Sequence, residues 1–218
     1  MKMDAFHEKM ADQFSELRRG QPHLSLLLYD SGIKITGPYV VYVEFNNEQF
    51  LDSFSLEIVV DKGFPETVPI VKELERRIRP VNCGAHIYPD GHLCLEVNTR
   101  IIFELNNNPN LLFFSDTFIQ PYLFGFLYYQ KYHRFPFGEY AHGKKGVLEY
   151  YCTVFDVCDV GIAKELLGLI FGDNLKGHRY CPCGSGKRFR DCHRNQTVTM
   201  KESEFLDHYY NDFLFVSR

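Results

Sequence analysis

Residues 38–60, "PYVVYVEFNNEQFLDSFSLEIVV", decide how the chain is read. Two runs rich in β-branched and aromatic residues flank Asn46-Asn47, a turn-forming pair, so the stretch reads as two strands joined by a turn. A third strand signal, "HLSLLLYD" at residues 23–30, lies upstream across Asp30-Ser31-Gly32. Such short spacings favour an antiparallel meander. Downstream, "GFPETVPIV" at residues 63–71 carries two prolines, which limit pairing, so a fourth strand is expected to be short or at an edge.

Helical signals surround the meander. Met3, Phe6, Met10, Phe14 and Leu17 recur at spacings of three and four, predicting an amphipathic helix over 3–19 with Gly20 as its stop. Residues 80–110 lack periodicity and are rich in Pro, Gly and Asn. They read as a long irregular segment, of a kind that often carries function. A helix is expected from Ser115 to Tyr132, capped by Ser115 or Asp116, with Pro121 in its first turns. "VLEYYCTVFDV" (147–157) and "IAKELLGLIFG" (162–172) read as two short helices, and "SEFLDHYYNDFLFV" (203–216) as a last one. This order gives an α+β fold.

The composition is that of a globular chain, 45% hydrophobic, with 20 Phe, 14 Tyr and no Trp among 218 residues. No apolar run is long enough to span a bilayer, and the N-terminal residues lack the apolar core of a signal peptide, so a cytoplasmic location is expected. Seven cysteines do not form a disulfide framework and suit a reducing compartment. Net charge is −4, unevenly spread. Residues 176–194 hold six Lys/Arg against one Asp, while residues 1–175 hold 16 Lys/Arg against 23 Asp/Glu. The basic segment could touch nucleic acid or an acidic protein surface, or could offset bound thiolates.

That segment contains "CPCGSGKRFRDCH", residues 181–193. Cys181, Cys183, Cys192 and His193 supply three thiolates and one imidazole, a complete tetrahedral set for Zn²⁺. Gly184, Ser185 and Gly186 let the chain turn so that both ends face one ion. Four protein ligands leave no open coordination position, so the site is expected to be structural. The segment closely resembles the SEC-C motif, whose zinc-ligand positions match these four residues. The resemblance implies zinc and a docking partner.

A second stretch, "HIYPDGHLCLEV" at residues 86–97, places Cys94 just after Pro89-Asp90-Gly91, a tight turn. Leu93 and Leu95 flank the thiol and would anchor the segment. Spacing alone favours a core thiol, since free cysteines are often buried. A thiol nucleophile would need a neighbour that favours the thiolate and a donor for the developing oxyanion, and His86 or His92 could serve. Cys83 and His142 are lesser candidates, an additional thiol and a loop imidazole. Cys152 and Cys158 lie in a helical apolar pattern and read as core.

"FPETVP" followed by "HIYPDGHLCLEV", together with the order helix, meander, irregular loop, helices, resembles ubiquitin-conjugating enzymes over about residues 1–172. The resemblance implies a UBC-like domain at 1–175: an antiparallel four-stranded meander flanked by helices, with a zinc motif and C-terminal helix at 176–218. Cys94 matches the family's thioester-forming cysteine and Asp90-Gly91 its turn. The Asn of the family's His-Pro-Asn motif falls on His86, and the usual Trp after the cysteine is missing. These departures look like bacterial UBC-like proteins of CBASS anti-phage operons. The function so implied is an acyltransferase that joins the C-terminus of a partner cGAS/DncV-like nucleotidyltransferase to a target through Cys94, with His86 as a catalytic donor. Neither a membrane nor nucleic acid is expected as a partner. The alternative is a non-catalytic UBC-like scaffold docking a protein through its zinc motif. A thiol hydrolase built on a Cys94–His86 dyad ranks last, since no third residue orients it.

Overall fold

A computed structural model describes residues 4–79, 87–88, 90–137, 141, 143–172 and 176–218. His86, Cys83 and His142 lie outside the described residues. The chain divides into two compact units, Met1–Gly138 and Glu139–Arg218.

In the first unit, helix α1 spans Ala5–Gly20. Its N-cap Asp4 accepts a hydrogen bond from the His7 amide, and its buried face carries Met10, Phe14 and Leu17 at helical spacing. Strands β1 (Ser25–Tyr29), β2 (Gly32–Phe45), β3 (Glu48–Asp61) and β4 (Ile70–Glu73) follow. They form one antiparallel sheet in the order β1-β2-β3-β4. β2 and β3 are 14 residues each and join through Asn46-Asn47, both at positive φ. Asparagine tolerates that conformation, and a two-residue turn of this kind matches the strand twist. β4 is the expected short edge strand.

The alternation of β2 and β3 buries Ile33, Ile35, Tyr39 and Val41 with Phe54, Leu56, Ile58 and Val60. Helix α2 (Asn98–Asn107) contributes Ile101 and Leu105 to the same core. It lies inside the stretch read as irregular, which is thereby corrected. Next come α3 (Leu111–Phe114), a π-helical turn at Ser115–Ile119, and α4 (Gln120–Tyr132). This helical run starts four residues before the expected point. Asn110 is its cap, accepting from the Leu112 and Phe113 amides at 2.7 and 3.1 Å. Ser115 is buried within the run and bonds the Tyr39 hydroxyl at 2.7 Å.

The second unit packs α5 (Lys144–Phe155), α6 (Val160–Phe171), α7 (Arg194–Lys201) and α8 (Leu206–Ser217) around Tyr151, Phe155, Leu166, Leu167 and Phe189. Expected boundaries of 1–175 and 176–218 therefore shift. α5 and α6 share a core with the cysteine-rich segment, and polar contacts bind them to the helices α7 and α8 that follow it. Tyr151 donates to Asp212 at 2.8 Å, Gln196 to the Val154 carbonyl at 2.6 Å, and Lys164 to the Val216 carbonyl at 3.0 Å. Cys152 is half-buried, as a core position allows, but Cys158 is exposed. Among the described residues no helix is long and apolar enough to cross a membrane.

Candidate metal centre and the Cys94 edge

The cysteine-rich segment is built as a two-stranded ribbon that ends in a knuckle. The Cys181 amide donates to the Lys187 carbonyl at 2.9 Å, the Phe189 amide to Arg179 at 2.8 Å, and Tyr180 pairs with Arg188. Gly184 and Gly186 turn the knuckle at φ near +75° and +74°, where a side chain would be strained. A 3₁₀ turn at Phe189–Asp191 then returns Cys192 and His193 to the first two cysteines.

The four ligand atoms lie within 4.8 Å of one another. Cys183 and Cys192 Sγ are 3.6 Å apart, and His193 Nδ1 lies 3.1 Å from Cys181 Sγ and 3.2 Å from Cys192 Sγ. A tetrahedral Zn²⁺ with bonds of about 2.3 Å to sulfur and 2.0 Å to nitrogen needs ligand separations of about 3.5–3.8 Å. The Cys183–Cys192 separation already fits, the two short separations to His193 must open by a few tenths of an ångström, and the wider pairs, up to 4.8 Å, must close to bring all four onto one ion. His193 Nε2–H donates to the Phe155 carbonyl at 2.8 Å. That bond fixes the tautomer with Nδ1 unprotonated and aimed at the sulfurs, as a metal-ligating imidazole requires. Burial raises the Cys183 thiol, but hydrogen bonds from Ser185 outweigh it and bring the group down to about 6. Burial dominates at Cys181 and pushes it up to about 11.

Cys94 sits on the outer edge of β4. The Leu93 amide donates to Val71 at 2.7 Å, and His92 bridges to Lys72. Ile87 pairs with Leu93, and the Tyr88 amide donates to the His92 carbonyl at 2.9 Å. Tyr88, His92 and Cys94 therefore share one face of a small hairpin, since side chains alternate along a strand. The Tyr88 and His92 rings stack at 4.0 Å, and His92 Nδ1 lies 2.5 Å from the Asp90 carboxylate. Although desolvation opposes it, His92 holds the Asp90 carboxyl below its usual range.

Cys94 Sγ lies 3.5 Å from the Tyr88 hydroxyl. Burial pushes the Cys94 thiol above its usual range, the Glu96 charge adds to this, and the Tyr88 hydroxyl opposes it. The resting group is thus a thiol. Glu96 is itself paired with Arg100 at 2.5 Å. A cleft reaches both neighbours of Cys94, Leu93 and Leu95, and is lined also by Ile70 and Ile101 and by the polar Tyr88, His92 and Asn98.

The zinc-ligand candidates are thus brought together as expected. The proposed partner of Cys94, His86, lies outside the described residues. Tyr88 is the described side chain at the Cys94 sulfur. Its signal was the period-2 relation 88–92–94, visible only once the hairpin register is known.

No curated protein and no solved structure matches the chain. Residues 181–195 match the SEC-C motif family, so the Cys181, Cys183, Cys192 and His193 cluster lies within a stretch similar to that motif.

Proposed function

We propose that the chain is a ubiquitin-conjugating-enzyme-like acyl carrier with a structural Zn²⁺ at Cys181, Cys183, Cys192 and His193. The observation that supports it best is the placement of Cys94. A half-buried thiol on the sheet edge lies beside a cleft of mixed polar and apolar lining, with the Tyr88 hydroxyl 3.5 Å from its sulfur. The order helix, four-stranded meander, cysteine-bearing edge and helices is consistent with it.

In this reading Cys94 Sγ attacks the carbonyl of an incoming thioester. The sulfur–carbon bond to Cys94 forms, that to the donor breaks, and the thiol proton leaves with the donor sulfur. An amine then attacks the Cys94 thioester, an amide forms, and Cys94 regains its proton. A raised thiol pKa suits a carrier that stays protonated between turnovers. Tyr88, and His86 beyond the described residues, are the donors for the tetrahedral oxyanion. The acyl donor in this reading is the C-terminus of a cGAS/DncV-like nucleotidyltransferase in a CBASS anti-phage system, and the acceptor is a target amine. Zn²⁺, when bound, locks the knuckle and supplies no chemistry to the transfer.

A second reading, a non-catalytic scaffold with Cys94 as a packed thiol, is favoured by the burial that raises its pKa. Exchange with a peptide thioester separates the two. The wild type should form an adduct, seen by intact mass and on a non-reducing gel, that thiols release. It should be lost in Cys94→Ala and kept in Cys158→Ala, whose thiol is exposed. Cys94→Ala should cost at most about 1 kcal/mol of stability. An adduct that forms no faster on Cys94 than on Cys158, or a Cys94→Ala protein that fails to fold, rejects the carrier and leaves the scaffold.

A further inference from the structure

The ribbon that carries the metal ligands has a second face. Antiparallel pairing of Tyr180 with Arg188 sets the register. Alternation then puts Phe189 and Cys181 on the buried side. It puts His178, Tyr180, Arg188 and Arg190 together on the outward side, and all four are exposed. Arg179 and Lys187 are exposed but alternate to the other side of the ribbon, where the Arg179 guanidinium lies 5.3 Å from the centre of the Phe189 ring. The Arg188 guanidinium lies 4.5 Å from the centre of the Tyr180 ring, and Tyr180 is 64% exposed. Burial does not explain an aromatic so exposed.

The charge is segregated onto this ribbon. Residues 176–194 carry six Lys/Arg against one Asp, while the remainder of 139–218 carries five Lys/Arg against ten Asp/Glu. Zn²⁺ held by three thiolates and a neutral imidazole adds a single negative charge, so the segment stays strongly cationic with metal bound. Neutralising thiolates therefore does not account for the cations.

We infer that the outward face of residues 178–190 binds single-stranded nucleic acid. Tyr180 offers a ring on which a base stacks, and the planar Arg188 guanidinium extends that platform. Arg188 and Arg190, on the same face, pair with the phosphates on either side, and Arg179 and Lys187 add to the positive potential from the other side of the ribbon. An acidic peptide would satisfy the cations but would leave the exposed aromatic without a purpose, which decides between the two occupants. The basic composition of residues 176–194 leaves nucleic acid open, and only the family resemblance sets it aside. The ribbon register, which gathers Tyr180, Arg188 and Arg190 on one face, favours it.

Fluorescence anisotropy tests this with full-length, zinc-loaded protein and a labelled single-stranded RNA or DNA of about 12 nucleotides. Binding should saturate, and it should weaken between about 50 and 200 mM salt, with a logarithmic slope of about −0.7 for each phosphate neutralised. Tyr180→Ala should weaken binding about tenfold or more, while Tyr180→Phe keeps the ring and the affinity. Arg188→Glu should lose binding, and Lys145→Glu, the same charge change on α5, should not. Zinc content is measured for each variant. If Arg188→Glu loses metal, the Tyr180→Ala and Tyr180→Phe pair decides. No binding at the lower salt, equal loss in Lys145→Glu and Arg188→Glu, no difference between the Tyr180 variants, or capture of a polyglutamate peptide in preference to the oligonucleotide would each overturn the inference.

Discussion

Tyr88 reaches Cys94 because Ile87 pairs with Leu93, which leaves positions 88, 92 and 94 on one face of the edge hairpin. Stacking on His92 holds the phenol ring there, and Asp90 holds His92. The resting Cys94 thiol donates to the Tyr88 hydroxyl oxygen at 3.5 Å, which puts that hydroxyl also within reach of an oxygen on the carbon that the sulfur attacks. Tyr88→Phe keeps the ring and its stacking but removes the hydroxyl. Burial and Glu96 would then act on Cys94 unopposed, so its pKa should rise further. Alkylation of Cys94 by iodoacetamide, followed against pH, should shift its midpoint upward. Aminolysis of a Cys94 thioester should slow about a hundredfold. An unchanged alkylation profile would assign Tyr88 to loop packing alone. The four metal-ligand candidates were legible in the sequence because their geometry is local, within 13 residues and two glycine turns. Tyr88 was not, because its relation to Cys94 depends on a hairpin register that composition does not reveal. His7 was missed for a similar reason. It is buried on α1, where Asp4 at 2.7 Å and the Tyr29 carbonyl at 3.0 Å satisfy both ring nitrogens, and the second partner comes from a strand.

Strands and long helices were legible where period and punctuation agree. Asn46-Asn47 marked the β2–β3 turn, and the prolines of residues 63–71 announced a short edge strand. α2 was hidden by the polar run at its C-terminal end. "NNNPN" at 106–110 reads as loop, yet Thr99, Ile101, Ile102 and Leu105 make a buried helical face just before it. The start of the next helix was misplaced because Ser115 has cap chemistry but is needed elsewhere. It lies in the π-helical turn and satisfies the buried Tyr39 hydroxyl. Asn110 caps instead, with one side-chain oxygen accepting from two amides. Asn110→Ala should therefore cost about 1 kcal/mol and lower the Tm of the first unit, while Asn110→Asp retains the acceptor and most of the stability. Thermal unfolding followed by circular dichroism measures this. Equal Tm for the two variants would mean that the amides are satisfied without the side chain.

Across the whole molecule, two hydrophobic clusters belong to two units. The metal-ligand candidates are part of the second core: Cys181 and Phe189 are buried in it, and His193 donates to α5 through Phe155. The shift of the boundary from 175 to 138 has a thermodynamic consequence. If the zinc motif were an appendage, chelation would disorder about 40 residues and leave α5 and α6 in place. With α5 and α6 sharing its core, loss of the ion withdraws the constraint that holds Phe189 and the His193–Phe155 bond. Free energy of metal binding at a closed site is folding free energy. Calorimetry of the holo protein should show two unfolding transitions. Chelator, or Cys181→Ser, should lower the one that includes α5–α8 and leave the other where it was. Hydrogen exchange should then speed in 144–171 as well as in 176–217. Faster exchange confined to residues 176–193 would return α5 and α6 to a fold independent of the metal, and metal analysis showing no bound zinc would remove the constraint altogether.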